Sequence, residues 1–513
     1  MNAFALSWSR KRLLVVGAVL FLSSLFFGGQ ASAAICTWSA TTSQAASDLT
    51  NWDNGSGAAC TQFTGNIFRY SNSVTSTNST WDISTTTNAV LVDSNYTGTI
   101  TVTSSLTTTG DFSQNGGTLH AIGGSTLTVG ANLGVSSTAF NASGTISVAG
   151  NIDATTTLNM AAGTLTLSGT TKTIRASAGA NLLFNNVSIT GSYTLYNNAT
   201  TTGYISVSGS GSLNLSTSTV SVADSFLNNG SSVTQSGGTV QMTGNSKYVG
   251  GTGNTTFYNL VLDQITNLNG NVTTTNNLTV TFNLTGTSSV DYYLVVGGNL
   301  SAPSSMQLGT IYGYGHLSMT GVNGILTPGT NFQVKELTIA SGATTTISGT
   351  NSIQVFATTT VTGNLNAGGS TLTLAGPGSA GLSISGGFDA GTSTITFNGE
   401  APVIPSKTFY NLTIGPSSSG SVTLAGAVTS TNLTLSSGVA LLNLGTNNLV
   451  VSGNITNNAR ISQTSGSVTM SGSSASLITG SASSTQFYNL NVTGTTTLYG
   501  VDRKSTRLNS SHT

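Results

Sequence analysis

The sequence predicts an all-β protein: an elongated parallel β-helix, or β-solenoid, built of modules of about 76 residues behind an N-terminal cap. Three observations carry that reading: a phrase that returns at a steady interval, short alternating runs between its copies, and a near-absence of charge. The phrase is F-x-N-[LV]-x-[LIV]. It begins at Phe184 ("FNNVSI"), Phe257 ("FYNLVL"), Phe409 ("FYNLTI") and Phe487 ("FYNLNV"), with a degenerate copy, "VKELTI", at Val334. Successive copies therefore recur at a nearly fixed interval, and self-similarity of that kind marks an array of stacked units.

Between copies run "TISVAG" (Thr145 to Gly150), "TLTLSG" (Thr164 to Gly169), "YISVSG" (Tyr204 to Gly209) and "NLVVSG" (Asn448 to Gly453). Alternation over four to six residues, broken by Gly, Asn or Ser, describes short strands with one buried face. Within the phrase, Leu260 and Leu262 share the apolar side, as do Leu412 and Ile414, and Val187 and Ile189. Asn186, Asn259, Asn411 and Glu336 fall on the other side and are expected to face solvent. With coils of about 19 residues, each period holds about four coils.

Only 5% of the 513 residues are Asp, Glu, Lys or Arg, against about 25% in globular proteins. Disorder goes with low hydrophobicity and high net charge, whereas this chain is 37% hydrophobic with a mean hydropathy of +0.15. An ordered β array is therefore expected. Tandem β-sandwich modules are the alternative, but sandwich cores favour a large aromatic anchor, and no Trp follows Trp81.

The stretch from Met1 to Ala33 reads as a cleaved export signal. Arg10, Lys11 and Arg12 precede the apolar run Leu13 to Phe27, and Ala31–Ser32–Ala33 supplies the small-residue cleavage pattern. Residues 34–105 form the expected cap segment, and 106–501 the repeat region. The two cysteines, Cys36 and Cys60, lie just beyond the predicted cut, which suggests a disulfide stapling the N-terminal segment. Three of the 13 basic residues sit in the signal and three more in the last twelve positions, leaving seven against twelve acids between them. That mildly acidic body excludes an electrostatic footprint for nucleic acid or anionic membrane. No membrane span is expected in the mature chain.

The signal, the early "CTW", "NW" and "STWD" (Cys36–Trp38, Asn51–Trp52, Ser79–Asp82) and the Thr/Ser/Asn strand repeats resemble bacterial β-strand-repeat cell-surface proteins. These are adhesin-like chains in the style of filamentous haemagglutinin and autotransporter passengers. The resemblance spans Ala34 to Val501, transfers no functional residue, and implies an exported rod. Its partners would be glycans, other cells or surfaces, or copies of itself. Residues 502–513 stand apart: Asp502 to His512 resembles the conceptual translation of a common short-read sequencing adapter without interruption. That tail is expected to be non-native and carries no functional argument.

A catalyst needs a constellation, and the sequence presents none. His120 and His316 are far apart in sequence and each lacks a neighbouring His or Cys, so both read as surface or turn residues. Asp111, Asp153, Asp224, Asp263, Asp291, Glu336, Asp389 and Glu400 are scattered, whereas glycoside hydrolysis needs two carboxylates within about 5–10 Å. Calcium-nonapeptide and phosphate-loop motifs are missing. The expectation is a noncatalytic structural or adhesive rod with no catalytic, cofactor or metal residues. The alternatives are a polysaccharide-processing β-helix enzyme and a surface-layer component.

Overall fold

The computed structural model describes residues 33–499, apart from 43, 74, 138, 287–290, 309–314, 379–380, 416–419, 440 and 481–484. Residues 1–32 of the expected export signal (1–33) and the whole of the expected non-native tail (502–513) lie outside the described residues. The chain winds into a parallel β-solenoid of about 19 turns with essentially no helix. At 4.7–4.9 Å per turn, the stack is about 90 Å long. Among the described residues no helix is long and apolar enough to cross a membrane.

Each coil contributes strands to three faces. The first face begins with Ile35–Trp38, Ile67–Tyr70, Ala89–Val92 and Phe112–Gln114. The second includes Thr99–Val102, Thr118–Ala121 and Phe140–Ala142, and the third Leu106–Thr108, Thr126–Val129 and Thr145–Val148. Parallel stacking thus starts inside the segment expected to be a cap. The burial of Thr126–Val129 alternates, with Leu127 and Val129 fully buried, because successive side chains point to opposite sides of a strand. The inward residues join one hydrophobic core running from Cys36 to Leu477. A single coil buries too little apolar surface to offset its own ordering, so each needs its neighbours.

The recurring phrase is a corner. Phe257 ends a first-face strand, Tyr258 turns, and Asn259–Leu262 opens the second face above Thr239–Met242. Successive copies occupy different corners. Val187 to Ile189 lie on the third face beside Ile205 to Val207, and Glu336–Ile339 on the first face beside His316 to Met319. The reason is arithmetic. Ser192–Leu195 through Asn259–Leu262 is eleven strands, and so is Thr266–Leu268 through Glu336–Ile339. At three strands per coil, each period advances three and two-thirds coils, not the expected four, and the phrase moves back one corner. Residue counts concealed this because coils vary: Leu260 stacks under Leu278, eighteen residues on, but Leu300 under Leu326, twenty-six on.

The phrase's asparagines point away from the core yet are not simply solvated, which corrects the sequence expectation. Asn259 Nδ2 donates to the Gly238 carbonyl of the coil before (2.9 Å), and its Oδ1 accepts from the Asn277 backbone N–H of the coil after (3.2 Å). The relay continues. Asn277 Oδ1 accepts from Asn299 N–H at 3.0 Å, and Asn299 Oδ1 from Ile325 N–H at 2.9 Å. Asp111, Asn132 and Asn151 form a like series, each accepting the backbone N–H one coil on. At a corner the backbone turns out of the ladder, so a short side-chain amide supplies the missing acceptor. The glycine ending "TLTLSG" has a steric cause. A Cβ at Gly169 would overlap the Ala149 carbonyl of the coil beneath.

The N-terminal end is closed differently. Trp52–Asp53 runs antiparallel to Ile35–Trp38, and Gln44–Ala45 pairs with Ser79–Thr80, covering strand edges that would otherwise be open. Cys36 and Cys60 are disulfide-bonded, with Cα atoms 6.1 Å apart, which ties the end of this flap to the first strand. Trp38, Trp52, Phe68, Tyr70 and Trp81 pack ring against ring beneath it. Trp81 Nε1 donates to the Tyr70 hydroxyl (2.8 Å), which lies 2.8 Å from Ser79 Oγ.

Burial pushes both Tyr70 and Tyr96 above the usual tyrosine range. The sign of the pH effect follows. Stability from a raised folded pKa is complete below the unfolded value near 10 and is lost as pH rises beyond it, by about 1.4 kcal/mol per group per pH unit. Trp38, Trp52 and Trp81 are the tryptophans beyond residue 33, so in a chain starting at Ala34 fluorescence reports on the N-terminal end alone. Their emission is expected to shift red between pH 10 and 12, and emission unchanged to pH 12 would contradict this.

Candidate functional site

Stacking brings together what the sequence scatters. Tyr293, His316 and Glu336 occupy one outward column on three successive coils of the first face. His316 is only 8% exposed, which corrects its reading as a surface or turn residue. Its Nδ1 lies 2.7 Å from Glu336 Oε2, and its Nε2 is 3.5 Å from Asp291 Oδ1. The Tyr293 ring stacks on the imidazole at a centroid distance of 4.4 Å. Lys335 Nζ reaches back two coils to Asp291 at 3.2 Å.

Each member has a local reason for its place. Gly315 precedes His316 on a strand where a Cβ would overlap the Leu308 carbonyl, so the backbone packs close and seats the imidazole between coils. Glu336 stands where the other phrases carry Asn, and reaches the coil before through His316 rather than through a backbone carbonyl. The bonded Lys335 ammonium, and after it His316, hold the Asp291 carboxyl below the usual carboxylate range against a smaller opposing effect of burial.

The arrangement is a staple across three coils. Glycoside hydrolysis needs one carboxyl free to give a proton and another free to attack or to activate water. Here Asp291 is tied to Lys335 and Glu336 to His316, and both carboxylates are engaged. Among the described residues no three His, Cys, Asp or Glu side chains converge to hold a metal ion. His120 is elsewhere, exposed on the second face between Thr101 and Asn141. Asp224 pairs with Lys247 at 3.2 Å, and Asp263 bonds to Gln241.

The sequence reading missed this cluster because Asp291, His316 and Glu336 stand a full coil apart along the chain. Its only sequence trace is the column spacing itself: polar residues recurring at coil-length intervals. No protein-family model, curated protein or solved structure matches the chain.

Proposed function

We propose that this chain is an exported, noncatalytic rod of the cell surface that acts by adhesion along its length. The observation that supports it most directly is the single core continuous from Cys36 to Leu477, which makes a stiff stalk rather than a set of separate modules. Its sides carry short, mostly uncharged groups. On the third face the outward column Thr86, Thr107, Thr128, Ser147, Thr166, Ser188 and Ser206 presents a hydroxyl on each of seven coils. Repeated weak contacts on such a face add through effective concentration. The Asp291 and Glu336 carboxylates are spent on holding coils together, which favours the structural reading over a polysaccharide-processing enzyme.

The test is direct. Beads coated with the exported chain should keep most of their binding to surfaces or glycans when Asp263, Glu336, His120 and His316 are replaced together. Reproducible glycan cleavage by the parent chain, abolished by any one of those substitutions, would overturn the noncatalytic reading.

A further inference from the structure

We propose that the first face carries a binding groove for an acidic, carboxylate-bearing polysaccharide, centred on Lys172, Arg175 and Tyr196; this rests on the adhesive reading and gives it a ligand class. A shallow open groove of about 290 Å³ runs across four coils there. Its floor is the register column Thr173, Thr194, Asn214 and Thr234, about 14 Å from end to end. The Thr194 and Thr234 hydroxyls and the Asn214 amide nitrogen have no partner within the described protein, so they are free to bond sugar hydroxyls. Groups that do have partners look different: Thr190 and Thr202 turn their hydroxyls back onto carbonyls of the coil beneath.

Charge selects the ligand. Seven basic residues remain between the signal and the tail. Arg69, Lys247 and Lys335 pair with carboxylates, Lys407 donates to the Gly386 carbonyl, and Arg460 lies far along the rod, just before Ile461–Gln463. Lys172 lines this groove, Arg175 on the same strand sits beside it over the groove-lining Tyr196, and neither meets a carboxylate among the described residues. Asp153 stands beside Arg175 in register, yet the guanidinium lies 4.6 Å over the Tyr196 ring instead. Tyr196 is 48% exposed, leaving a ring surface for the apolar face of a sugar. An arginine seated over an aromatic ring keeps its planar fork of N–H donors for two-pronged recognition of a carboxylate. Two cations on an otherwise acidic body are too few for a nucleic-acid backbone, whose binding is built on many phosphate contacts.

The probe is a linear oligogalacturonate, compared with its methyl-esterified form, titrated calorimetrically into the exported chain. The acid form should bind at least tenfold more tightly than the ester and weaken as salt rises. The Lys172→Gln/Arg175→Gln double variant should lose tenfold or more. Asp153→Asn removes the competing carboxylate and should tighten binding severalfold, a readout independent of whether the double variant folds. Equal binding of acid and ester, failure of the acid form to bind, or an affinity unmoved by the double substitution would each overturn the groove. Surface attachment of the rod that persists in the double variant despite any of these results would leave the adhesive reading standing.

Discussion

Replacing Trp52 with alanine is expected to lower the stability of the N-terminal end by about 3–5 kcal/mol, the range for deleting a buried large aromatic side chain. Trp52 is fully buried, its ring centroid 4.6 Å from Phe68, 4.9 Å from Trp38 and 5.1 Å from Tyr70. Its Nε1 donates to the Ala46 carbonyl at 3.1 Å. The substitution therefore opens a cavity and leaves a buried carbonyl without its donor. It also loosens the antiparallel strand that covers Ile35–Trp38, exposing an unpaired edge to other chains. Urea unfolding followed by the remaining tryptophans should give a lower midpoint, and size-exclusion chromatography should show concentration-dependent association. A loss below about 1 kcal/mol would mean that the flap is not held by its aromatic packing.

Deleting Asn259 to Lys335, one full period, is expected to leave a folded but shorter rod. The junction joins Tyr258 to Glu336, so the strand Glu336–Ile339 moves from the first face to the second and takes the place of Asn259–Leu262. Leu337 and Ile339 would then stand inward over Val240 and Met242, as Leu260 and Leu262 do now. Everything beyond turns by one corner relative to what precedes it. Eleven strands are three and two-thirds coils, so small-angle scattering should report a maximum dimension about 18 Å shorter, with no change in cross-section. Removing one residue more, Asn259 to Glu336, puts Leu337 outward and Thr338 inward, because a one-residue slip exchanges the two sides of a strand. That variant should aggregate. Aggregation of both deletions would show that the faces are not interchangeable, and folding of both would show that the corner absorbs a one-residue slip.

The sequence made the strand rule and the corner phrase legible because both are local: alternation places Leu260 and Leu262 inward whatever coil they belong to. It also singled out the Cys36, Trp38, Trp52 and Trp81 segment as chemically distinct. It could not say how many coils fill a period, since coils of the repeat region range from seventeen to twenty-six residues. Nor could it place Asp291, His316 and Glu336 side by side. In a solenoid the nearest neighbour of an outward side chain is a full coil away in sequence, at a distance that loops of varying length shift from coil to coil. The asparagines misled for a related reason. Pointing away from the core reads as solvated when only one strand is considered, and as bonded once the coils above and below are in place.

The asparagine relays bear on how such a rod responds to force. The ladder bonds and the corner amides both run along the long axis, so a pull on the two ends loads them in tension, one coil boundary at a time. Failure is then sequential peeling rather than shearing of the whole stack. Each coil released frees about 20 residues, roughly 70 Å of extended chain, in place of about 5 Å of rod. A tether built this way lengthens in steps and dissipates work at each one. The Asn259–Asn277–Asn299 series resists the opening of each boundary it crosses, and the Cys36–Cys60 bond keeps the flap attached to the first strand as the coils behind it give way.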